Sequence, residues 1–406
     1  MPSSLQLETR PAVDLPQLDL DPYSIASLMD PYPLHEQVRE AGPVVYLTPW
    51  QVYAVARYEQ VKAVLSDHDT YISGAGVGLI NFNLEPPFRP RSLVLEADPP
   101  AHTPCRAVLA RVLSPTVLRN LRPVFEAEAE ALVDQCLELG AIDGIKALAE
   151  RYPLKVFPDA VGLAAEGREN LLLYGDMVFN ANGPRNELLA KSTERVGPVT
   201  EWIMRRCQRD MLAPGGFGAQ IWEAADRGDI THEQAPMLVR SLLSAGVDTT
   251  INGLGNALFC LATHPEEYAK LHSDPSLARY AFDEALRYES TAQTFYRTTV
   301  RDTVLAGVPI PANCKVLMML AAANRDPRKW PDPDRFLIER RPAGHVAFGA
   351  GIHGCVGQAI ARLEGELVLS ILARRVRRIE LIGEPTRRLN NTLRALDALP
   401  LRLIPA

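Results

Sequence analysis

The chain has 406 residues, of which 47% are hydrophobic, and its formal net charge is -6. This length allows a large core in one or two domains, and the charge provides no positive field that would attract nucleic acid or an anionic membrane. Six cysteines are scattered without CxxC pairs or close clusters, which argues against a disulfide framework or a zinc site. The N-terminal residues contain no basic segment followed by an apolar run, so we expect no signal peptide and a reducing, cytoplasmic location.

Hydrophobic periodicity predicts mostly helices. In chain order, we expect a helix over 33–41, a hairpin over 44–56, a helix over 58–65, an irregular segment over 70–100, helices over 101–139 and 166–288, strands over 295–300 and 315–320, and a long helix after Cys355. No internal repeat or linker-like composition break is visible. The pattern predicts one mainly α domain over 1–406 with a minor β-sheet, comprising a small N-terminal β-rich region at about 40–60 and a helical core at about 100–290.

The segment 241–261 has membrane-spanning length and contains neither Lys nor Arg, but it includes Asp248, Asn252 and Asn256. An Asp in the middle of a membrane span costs about 2.5–3.5 kcal/mol on insertion scales. A long helix buried inside the protein therefore explains this segment better, and we expect no membrane partner.

The most informative segment is 348–357, Phe-Gly-Ala-Gly-Ile-His-Gly-Cys-Val-Gly, directly before a helical run. Backbone N–H groups and the helix dipole at a helix start favour the thiolate of Cys355, which can then bind a metal. Gly351 and Gly357 permit backbone conformations and close approaches that a side chain would block, as a flat macrocycle lying against the loop would require. Phe348 is expected to pack beside the sulfur. The alternative is that Cys355 is an ordinary buried free cysteine.

The spacing Phe-x-x-Gly-x-x-x-Cys-x-Gly resembles the haem-binding loop of the cytochrome P450 superfamily. This resemblance implies a haem b with Cys355 as axial ligand. It also implies the P450 fold, in which the haem lies between the long central helix and the Cys-ligand loop at 348–357.

The motif Ala245-Gly-Val-Asp248-Thr249-Thr places a glycine, an acid and two hydroxyls in the predicted buried helix, where each is a poor choice. Broken local rules in a core often mark a functional site. In the superfamily the matching acid and alcohol open the helix and relay protons for oxygen activation, which implies catalytic roles for Asp248 and Thr249. The alternative is a kink with a back-bonded threonine.

Two further groups of residues match superfamily positions. Glu284-x-x-Arg287 has the i,i+3 spacing of a common surface pair, but the resemblance implies a buried structural network with Arg335 of the Pro-Asp-Arg-Phe segment. The haem propionates need cationic partners, and the resemblance assigns this role to His102, Arg106, Arg297 and His353, assisted by His345. The alternative for each is a solvated surface residue.

Electrons must come from another protein, because the length leaves no room for a flavin or NAD(P) module. The resemblance to bacterial members implies O2 as oxidant, a ferredoxin and ferredoxin reductase as electron donors, and a monomer. Arg374, Arg375, Arg377 and Arg378 form a basic cluster near the end of the last helix. We interpret this cluster as a solvated helix end rather than as a docking site.

Several segments resemble bacterial enzymes that oxidise para-substituted benzoates. The resemblance implies that Arg89, Ser92, Ser241 and Ser244 hold the carboxylate. Ser241, Ala245, Asp248 and Thr249 fall at i, i+4, i+7 and i+8 and would share one helical face, with about 12 Å between the first and the last. The apolar walls would be supplied by Leu95, Phe179, Val247, Ala292 and Phe295, although such residues are as often simply core. Asn182 departs from the group, which often has an aromatic residue there, so the preference for the para substituent stays open.

The sequence thus predicts a haem-dependent monooxygenase that oxidises the para substituent of a small aromatic acid such as 4-methoxybenzoate, by O-demethylation or hydroxylation. One alternative is a monooxygenase of another small aromatic or a terpenoid. The other is a non-catalytic haem protein that binds ligands, against which the intact Asp248 and Thr249 argue.

Overall fold

The computed structural model describes residues 15–87, 89–194 and 196–406. The expectation that the N-terminus has no signal peptide concerns residues 1–14, which lie outside the described residues. Within the described part the chain forms sixteen α-helices and thirteen β-strands. The helices are α1 (Ile25–Met29), α2 (Tyr32–Ala41), α3 (Tyr58–Ser66), α4 (His102–Val112), α5 (Pro115–Leu139), α6 (Arg151–Val161), α7 (Asn170–Asn180), α8 (Glu187–Thr193), α9 (Val196–Arg206), α10 (Phe217–Asp226), α11 (Gln234–Gly246), α12 (Asp248–Thr263), α13 (Pro265–Ser273), α14 (Ala278–Glu289), α15 (Leu320–Asn324) and α16 (Gln358–Arg375). The strands are β1 (Gln17–Leu18), β2 (Val45–Leu47), β3 (Val52–Val55), β4 (Tyr71–Ile72), β5 (Ala141–Asp143), β6 (Thr294–Thr299), β7 (Thr303–Leu305), β8 (Val308–Ile310), β9 (Lys315–Met319), β10 (Val376–Leu381), β11 (Thr386–Arg388), β12 (Ala395–Ala398) and β13 (Pro400–Pro405).

The predicted fold class, mainly α with a minor sheet, is confirmed. The main core is formed where α5, α12, α14 and α16 pack against one another. Of these, α12 is buried on nearly all sides, as expected of a helix that is apolar around most of its circumference. The last predicted helix begins three residues after Cys355, so the core directly supports the cysteine loop.

The predicted hairpin is β2 and β3, which pair antiparallel. Its sheet extends further than the sequence indicates, because β9 pairs parallel to β3 and β6 pairs antiparallel to β9, giving the order β1-β2-β3-β9-β6-β4. The two strands predicted near 295–300 and 315–320 thus complete the N-terminal sheet. The described residues of the segment 70–100, which are 70–87 and 89–100, are irregular as predicted, except for the two-residue strand β4.

The long helix expected over 241–261 is divided at the Ala245–Thr250 motif, where the sequence indicates either an opened helix or a kink with a back-bonded threonine. Helix α11 ends at Gly246 and α12 begins at Asp248, with Val247 between them at φ -97° and ψ -65°. Side-chain hydroxyls bond the carbonyl groups at this break: Thr249 Oγ1 donates to the Ala245 oxygen at 2.7 Å and Thr250 Oγ1 to the Gly246 oxygen at 3.1 Å. Threonine hydroxyls compete with backbone amides for such carbonyls and bend helices. No helix among the described residues is long and apolar enough to cross a bilayer.

Candidate functional site

The loop before α16 is held in shape by its own backbone. The Cys355 N–H donates to the Phe348 carbonyl at 2.8 Å, and the Gly354 N–H donates to the Gly351 carbonyl at 3.1 Å. From α4, Arg106 Nη2 donates to the Gly354 carbonyl at 2.6 Å. This last bond joins the predicted propionate residue Arg106 to the cysteine loop.

Cys355 differs from the other cysteines in its exposure: it is exposed, whereas the other five, all within the described residues, are buried. Desolvation by the surrounding protein raises the pKa of its thiol, while the backbone N–H groups of Gly357 and Gln358 and the charges of Arg106 and Arg362 lower it. The donors expected at a helix start are thus present and act against desolvation. Coordination to a metal would favour the thiolate further.

The backbone conformation of Gly351 is one that a side chain would disfavour, as predicted. Gly351 has φ +67°, and a Cβ there would lie 2.6 Å from the Leu65 carbonyl oxygen. The close backbone at the end of α3 therefore also requires glycine at this position. A Cβ on Gly357 would have its nearest contacts, Cys355 Sγ and Ile360, at 3.8 Å, so the protein itself leaves space beside this glycine next to the sulfur.

His102 on α4 and His353 in the cysteine loop lie together, with ring centroids 4.7 Å apart. The His102 Nε2 and both ring nitrogens of His353 are buried without a hydrogen-bond partner among the described residues, although Asp98 Oδ1 lies 3.8 Å from His353 Nε2. Burial, followed by the nearby His353 and Arg106, lowers the pKa of His102 to about 4. Native proteins rarely leave buried polar groups unbonded, so the pair points to a missing polar partner.

Arg297 on β6 is a second incomplete group. It is 3% exposed, its guanidinium donates to the Tyr296 carbonyl at 2.8 Å, and no carboxylate of the described chain lies within ion-pair distance. Burial lowers its pKa to about 10, with Asp98 opposing the change. A buried unpaired cation is costly, so this position suits an anionic ligand.

The predicted propionate contact of His345 is not supported. Its Nδ1 accepts from the Ala347 N–H at 3.3 Å, and its Nε2 lies 3.5 Å from Asp283 Oδ1. Both nitrogens of this buried ring thus have partners within the protein. The ring also packs against Phe348, at 5.7 Å between centroids.

The predicted network around Glu284 and Arg287 is present, but with a different third arginine. Glu284 and Arg287 are fully buried and form two hydrogen bonds of 2.8 Å. Arg340, not Arg335, supplies the second guanidinium, through Nε to Glu284 Oε1 at 3.0 Å. Arg335 has an exposed side chain and contributes its carbonyl group, which accepts from Arg287 Nη2 at 3.1 Å.

At the helix break, Asp248 does not share the environment of the residues predicted on the same face. Ala245 is exposed and Ser241 and Thr249 are partly exposed, whereas Asp248 is 1% exposed. Its Oδ1 accepts from Arg388 Nη2 on β11 at 2.9 Å. The interruption at Val247 turns this carboxylate toward the protein interior, so the predicted common face is wrong for Asp248.

The loop predicted to hold the substrate carboxylate is itself held by an acid. Arg89 forms two bonds to Glu96, at 2.8 and 2.9 Å, and the Ser92 N–H donates to the same carboxylate at 2.9 Å. The Ser92 Oγ accepts from the Leu95 N–H at 3.1 Å. The charge of Arg89 is therefore already neutralised, which does not support its direct contact with a second carboxylate.

A neighbouring arginine, not predicted, connects this loop to α11. Arg240 is 4% exposed, and its Nη2 donates to the carbonyl groups of Pro90 at 3.3 Å and Arg91 at 3.0 Å. No carboxylate of the described residues lies within ion-pair distance of it. Ser241 and Ser244 follow on the same helix, where their hydroxyls donate to the backbone carbonyls four and three residues earlier.

The predicted wall residues are buried or partly buried, and the backbone of several of them is bonded to other segments of the chain. Phe179 accepts at its carbonyl from Thr392 Oγ1 at 2.8 Å, and the Asn182 carbonyl accepts from the Leu79 N–H at 2.8 Å. Ala292 forms an isolated bridge with Leu393. Phe179 and Asn182 are buried, whereas Leu95, Ala292 and Phe295 are partly buried.

The basic cluster lies among acids. Arg374 pairs with Glu126 at 3.4 Å, Arg375 with Asp134 at 2.5 Å, and Arg378 with Glu380. The cluster is therefore largely neutralised, in agreement with a solvated helix end.

An exposed thiol beside unpaired imidazoles and an unpaired buried arginine fits one kind of group: a metal-binding macrocycle that carries carboxylates. The fold and the site thus define a haem-thiolate protein.

The comparisons identify the family. The family model for cytochrome P450 matches residues 216–381, and the chain is 58% identical to cytochrome p450 CYP199A2 of Rhodopseudomonas palustris over 393 residues, which are 97% of this chain and 95% of that protein. The chain belongs to the cytochrome P450 family.

Solved structures agree. Cytochrome P450 CYP109Q5 from Chondromyces apiculatus matches with a TM-score of 0.81 and 31% identity, covering 96% of this chain and 99% of that one. Cytochrome P450 CREJ in complex with (4-ethylphenyl) dihydrogen phosphate matches with a TM-score of 0.84 and 25% identity, covering 94% and 98%. The protein is therefore a monooxygenase with a cysteine-ligated haem b, and it requires O2, a small substrate and redox partners.

Sequence reasoning missed Arg240, Arg340 and Arg388. Arg240 could have been noticed as the only charge in the run Met237-Leu-Val-Arg-Ser-Leu-Leu. Arg340 and Arg388 had no comparable signal, because their partners lie 56 and 140 residues away.

Proposed function

We propose that this enzyme oxidises the para substituent of benzoic acids. For 4-methoxybenzoate the products are 4-hydroxybenzoate, formaldehyde and water, formed from the substrate, one O2, two electrons and two protons. One oxygen atom enters the methyl group and the other leaves as water. Hydroxylation of a para-alkyl group consumes the same reagents.

The haem, when bound, supplies the activation of O2 and the oxidation of a C–H bond. We assign Cys355 as its axial ligand, because this thiol is exposed in the loop before α16. His102, Arg106, Arg297 and His353 would hold the propionates, since the described chain leaves the two imidazoles and Arg297 without anionic hydrogen-bond partners.

Arg240 is the observation that supports an acidic substrate. A buried guanidinium without a carboxylate partner attracts an anion, and the serine hydroxyls of α11 follow it in sequence. Ser241 and Ser244 can turn their hydroxyls from backbone carbonyls to a bound carboxylate. Ser92, on the loop that Arg240 contacts, accepts from backbone N–H groups and can donate its hydroxyl hydrogen to the same carboxylate. Arg89 then acts through Glu96, which fixes the loop that carries Ser92.

The rest of the substrate is proposed to lie against the apolar walls. Aromatic side chains favour packing with an aromatic ring, and Leu95, Phe179, Val247, Ala292 and Phe295 would surround it. The 4-ethylphenyl phosphate bound by the related CREJ is also a para-substituted aromatic anion. Asn182 lies three residues after Phe179, where related enzymes often have an aromatic residue. We therefore expect this enzyme to accept a different range of para substituents.

Asp248 and Thr249 are proposed to deliver protons. Thr249 Oγ1 is partly exposed and donates to the Ala245 carbonyl at the helix break, and Asp248 precedes it in sequence. A proton taken up by the carboxylate can pass to the hydroxyl, directly or through a water molecule. Electrons are proposed to come from a ferredoxin and its reductase, and the six free cysteines support a cytoplasmic location.

A spectral titration tests the substrate class. Purified ferric haem protein would be titrated with 4-methoxybenzoate, its methyl ester and 4-methoxyphenol, following the Soret band for loss of iron-bound water. A saturable shift with the free acid and much weaker shifts with the two neutral compounds are expected. A shift with the neutral compounds but none with the acid would contradict the proposal and favour another small aromatic or a terpenoid.

Two variants locate the carboxylate site. Arg240→Gln should weaken binding of the acid about 10- to 100-fold, because hydrogen bonds to charged groups contribute about 1.5–3 kcal/mol, and should leave the ester unchanged. Arg89→Gln, the matched change in the loop, should weaken both compounds to a similar extent. Equal losses for the acid and the ester in Arg240→Gln would remove Arg240 from the site.

A further inference from the structure

Asp248 lies where three elements meet. It begins α12, its carboxylate is bonded by Arg388 of β11, and α7 packs directly against it. A Cβ on Gly175 of α7 would lie 3.0 Å from Asp248 Cβ and 3.4 Å from its Oδ2. A side chain at position 175 would crowd Asp248, so glycine allows α7 to approach this residue closely.

The bond between Asp248 and Arg388 uses only one atom of each group. Arg388 Nη2 donates to Oδ1 at 2.9 Å, and Asn252 Nδ2 donates to the same oxygen at 3.4 Å. Asp248 Oδ2 and Arg388 Nε are both buried without a hydrogen-bond partner in the described chain. One oxygen is therefore fixed by two donors, while the other remains free to accept a proton.

Arg388 also connects this buried carboxylate to the surface. Its side chain is partly exposed, whereas that of Asp248 is almost fully buried. Two residues further on, Asn390 Nδ2 donates to Asp176 Oδ1 of α7 at 3.1 Å. Burial raises the pKa of Asp176, and the charge of Arg388 partly offsets this effect. The guanidinium thus has one carboxylate bonded to it and a second close by.

We propose that Arg388 is a positioning residue for Asp248, which holds the carboxylate by Oδ1 so that Oδ2 is free to take up a proton and pass it toward Thr249. This inference rests on the proposed role of Asp248. It does not require Arg388 to carry the proton, because an arginine stays protonated in proteins. The guanidinium fixes the orientation of the carboxylate.

The adjacent residue on β11 provides a matched control. Arg387 bonds Glu289 Oε2 at 3.0 Å and Asn256 Oδ1 at 3.3 Å. It does not bond Asp248. Arg387→Gln and Arg388→Gln therefore remove the same kind of partly buried ion pair from the same strand, but only the second removes the partner of the proposed proton-relay acid.

The test uses the holoenzyme with its surrogate ferredoxin and 4-methoxybenzoate. Arg388→Gln should raise the fraction of NADH electrons that appear as peroxide several-fold and enlarge the solvent deuterium isotope effect on product formation, approaching Asp248→Asn. Arg388→Lys should restore at least part of the wild-type behaviour, and Arg387→Gln should leave both readouts within about twofold of it. The spectral affinity for the acid should change in none of them.

A second readout does not depend on turnover. The unfolding midpoint of the holoprotein would be measured for Asp248→Asn, Arg388→Gln and the double variant. If the two groups interact as the structure shows, the double variant should lose less than the sum of the single losses. Additive losses would contradict the pairing.

The outcomes separate the two proposals. If Asp248→Asn raises peroxide release but Arg388→Gln does not, Arg388 is not a positioning residue and the role of Asp248 stands. If Asp248→Asn itself behaves as wild type, the proposed proton relay fails. If Arg388→Gln and Arg387→Gln raise peroxide release equally, the effect is one of general stability and the inference is overturned.

Discussion

Glu364 on α16 is a carboxyl group that the protein does not satisfy. It is fully buried, and neither of its oxygens has a hydrogen-bond partner among the described residues. Desolvation raises its pKa well above the ordinary value, so the folded protein keeps it neutral. The unfolded chain ionises it near pH 4.3, and the folded state loses stability as the pH rises above that value.

Glu364→Gln should therefore be more stable than the wild type at pH 7, by up to about 3 kcal/mol, and of similar stability near pH 4. The amide cannot ionise in either state, so this part of the pH dependence disappears. Unfolding midpoints measured from pH 4 to pH 8 would show it. Glu366→Gln on the same helix is the control, because Glu366 is partly exposed and pairs with Arg122 at 2.7 Å. A wild-type pH trend in Glu364→Gln would contradict the argument.

Thr249 and Thr250 allow a comparison of two hydroxyls at the same helix break. Both donate to carbonyl groups four residues earlier, but Thr250 is buried and Thr249 is partly exposed. Thr249→Ala should leave haem binding intact and lower product formed per NAD(P)H several-fold, with the difference recovered as peroxide. Thr250→Ala should keep the wild-type ratio. Equal ratios in the two variants would mean that the break, not the Thr249 hydroxyl, controls proton delivery.

At the scale of elements, α14 is joined to the chain that follows β9 by one buried carboxylate. Glu284 accepts from Arg287, from Arg340 and from the Leu337 N–H at 3.1 Å. Arg287 in turn donates to the carbonyl groups of Asn324 and Pro333. The network fixes the path of the chain between α15 and the cysteine loop.

Arg340→Ala should lower the free energy of unfolding by about 2 kcal/mol, because it removes a charged hydrogen bond to a buried carboxylate. Arg335→Ala, five residues earlier, should change it by less than about 0.5 kcal/mol, since that side chain is exposed. Chemical denaturation of both holoproteins would compare them. A larger loss in Arg335→Ala would restore the prediction made from the sequence.

These elements also show what the sequence could predict. The cysteine loop and the hairpin of β2 and β3 were predictable, because their signals are contained in a few adjacent residues. The pairing of β3 with β9 was not predictable, since it joins Tyr53 to Val316. Which arginine bonds Glu284 was not predictable either, because Arg335 and Arg340 lie only five residues apart in one segment. The break at Val247 was predictable as well, because the motif at 245–250 indicates an opened helix or a kink with a back-bonded threonine. The bond between Asp248 and Arg388 was not, since it appears only in the folded chain.

At the scale of the whole molecule, the proposed haem-binding residues come from distant parts of the fold. His102 lies on α4, Arg297 on β6 of the sheet, and Cys355 in the loop before α16. The protein contacts recorded among them are Arg106 with the Gly354 carbonyl and His102 with His353. The described chain thus brings the Arg297 cation and two buried imidazoles into the interior without an anion hydrogen-bonded to them. We expect the cofactor to complete the fold as well as the active site.

Arg297 provides the sharpest test of this idea, because the effect of removing it should change sign with the cofactor. Burial by the protein lowers its pKa to about 10, so folding disfavours its charge at every pH below that value when no anion is bound beside it. Arg297→Gln should therefore stabilise the haem-free protein by about 1–3 kcal/mol. In the holoprotein the same change removes a propionate partner and should speed the transfer of haem to an acceptor protein. Arg301→Gln, on the exposed turn after β6, should do neither. Unfolding midpoints of the haem-free proteins and haem-transfer rates of the holoproteins would be measured side by side, and a loss of stability in both forms would show that Arg297 serves the protein alone.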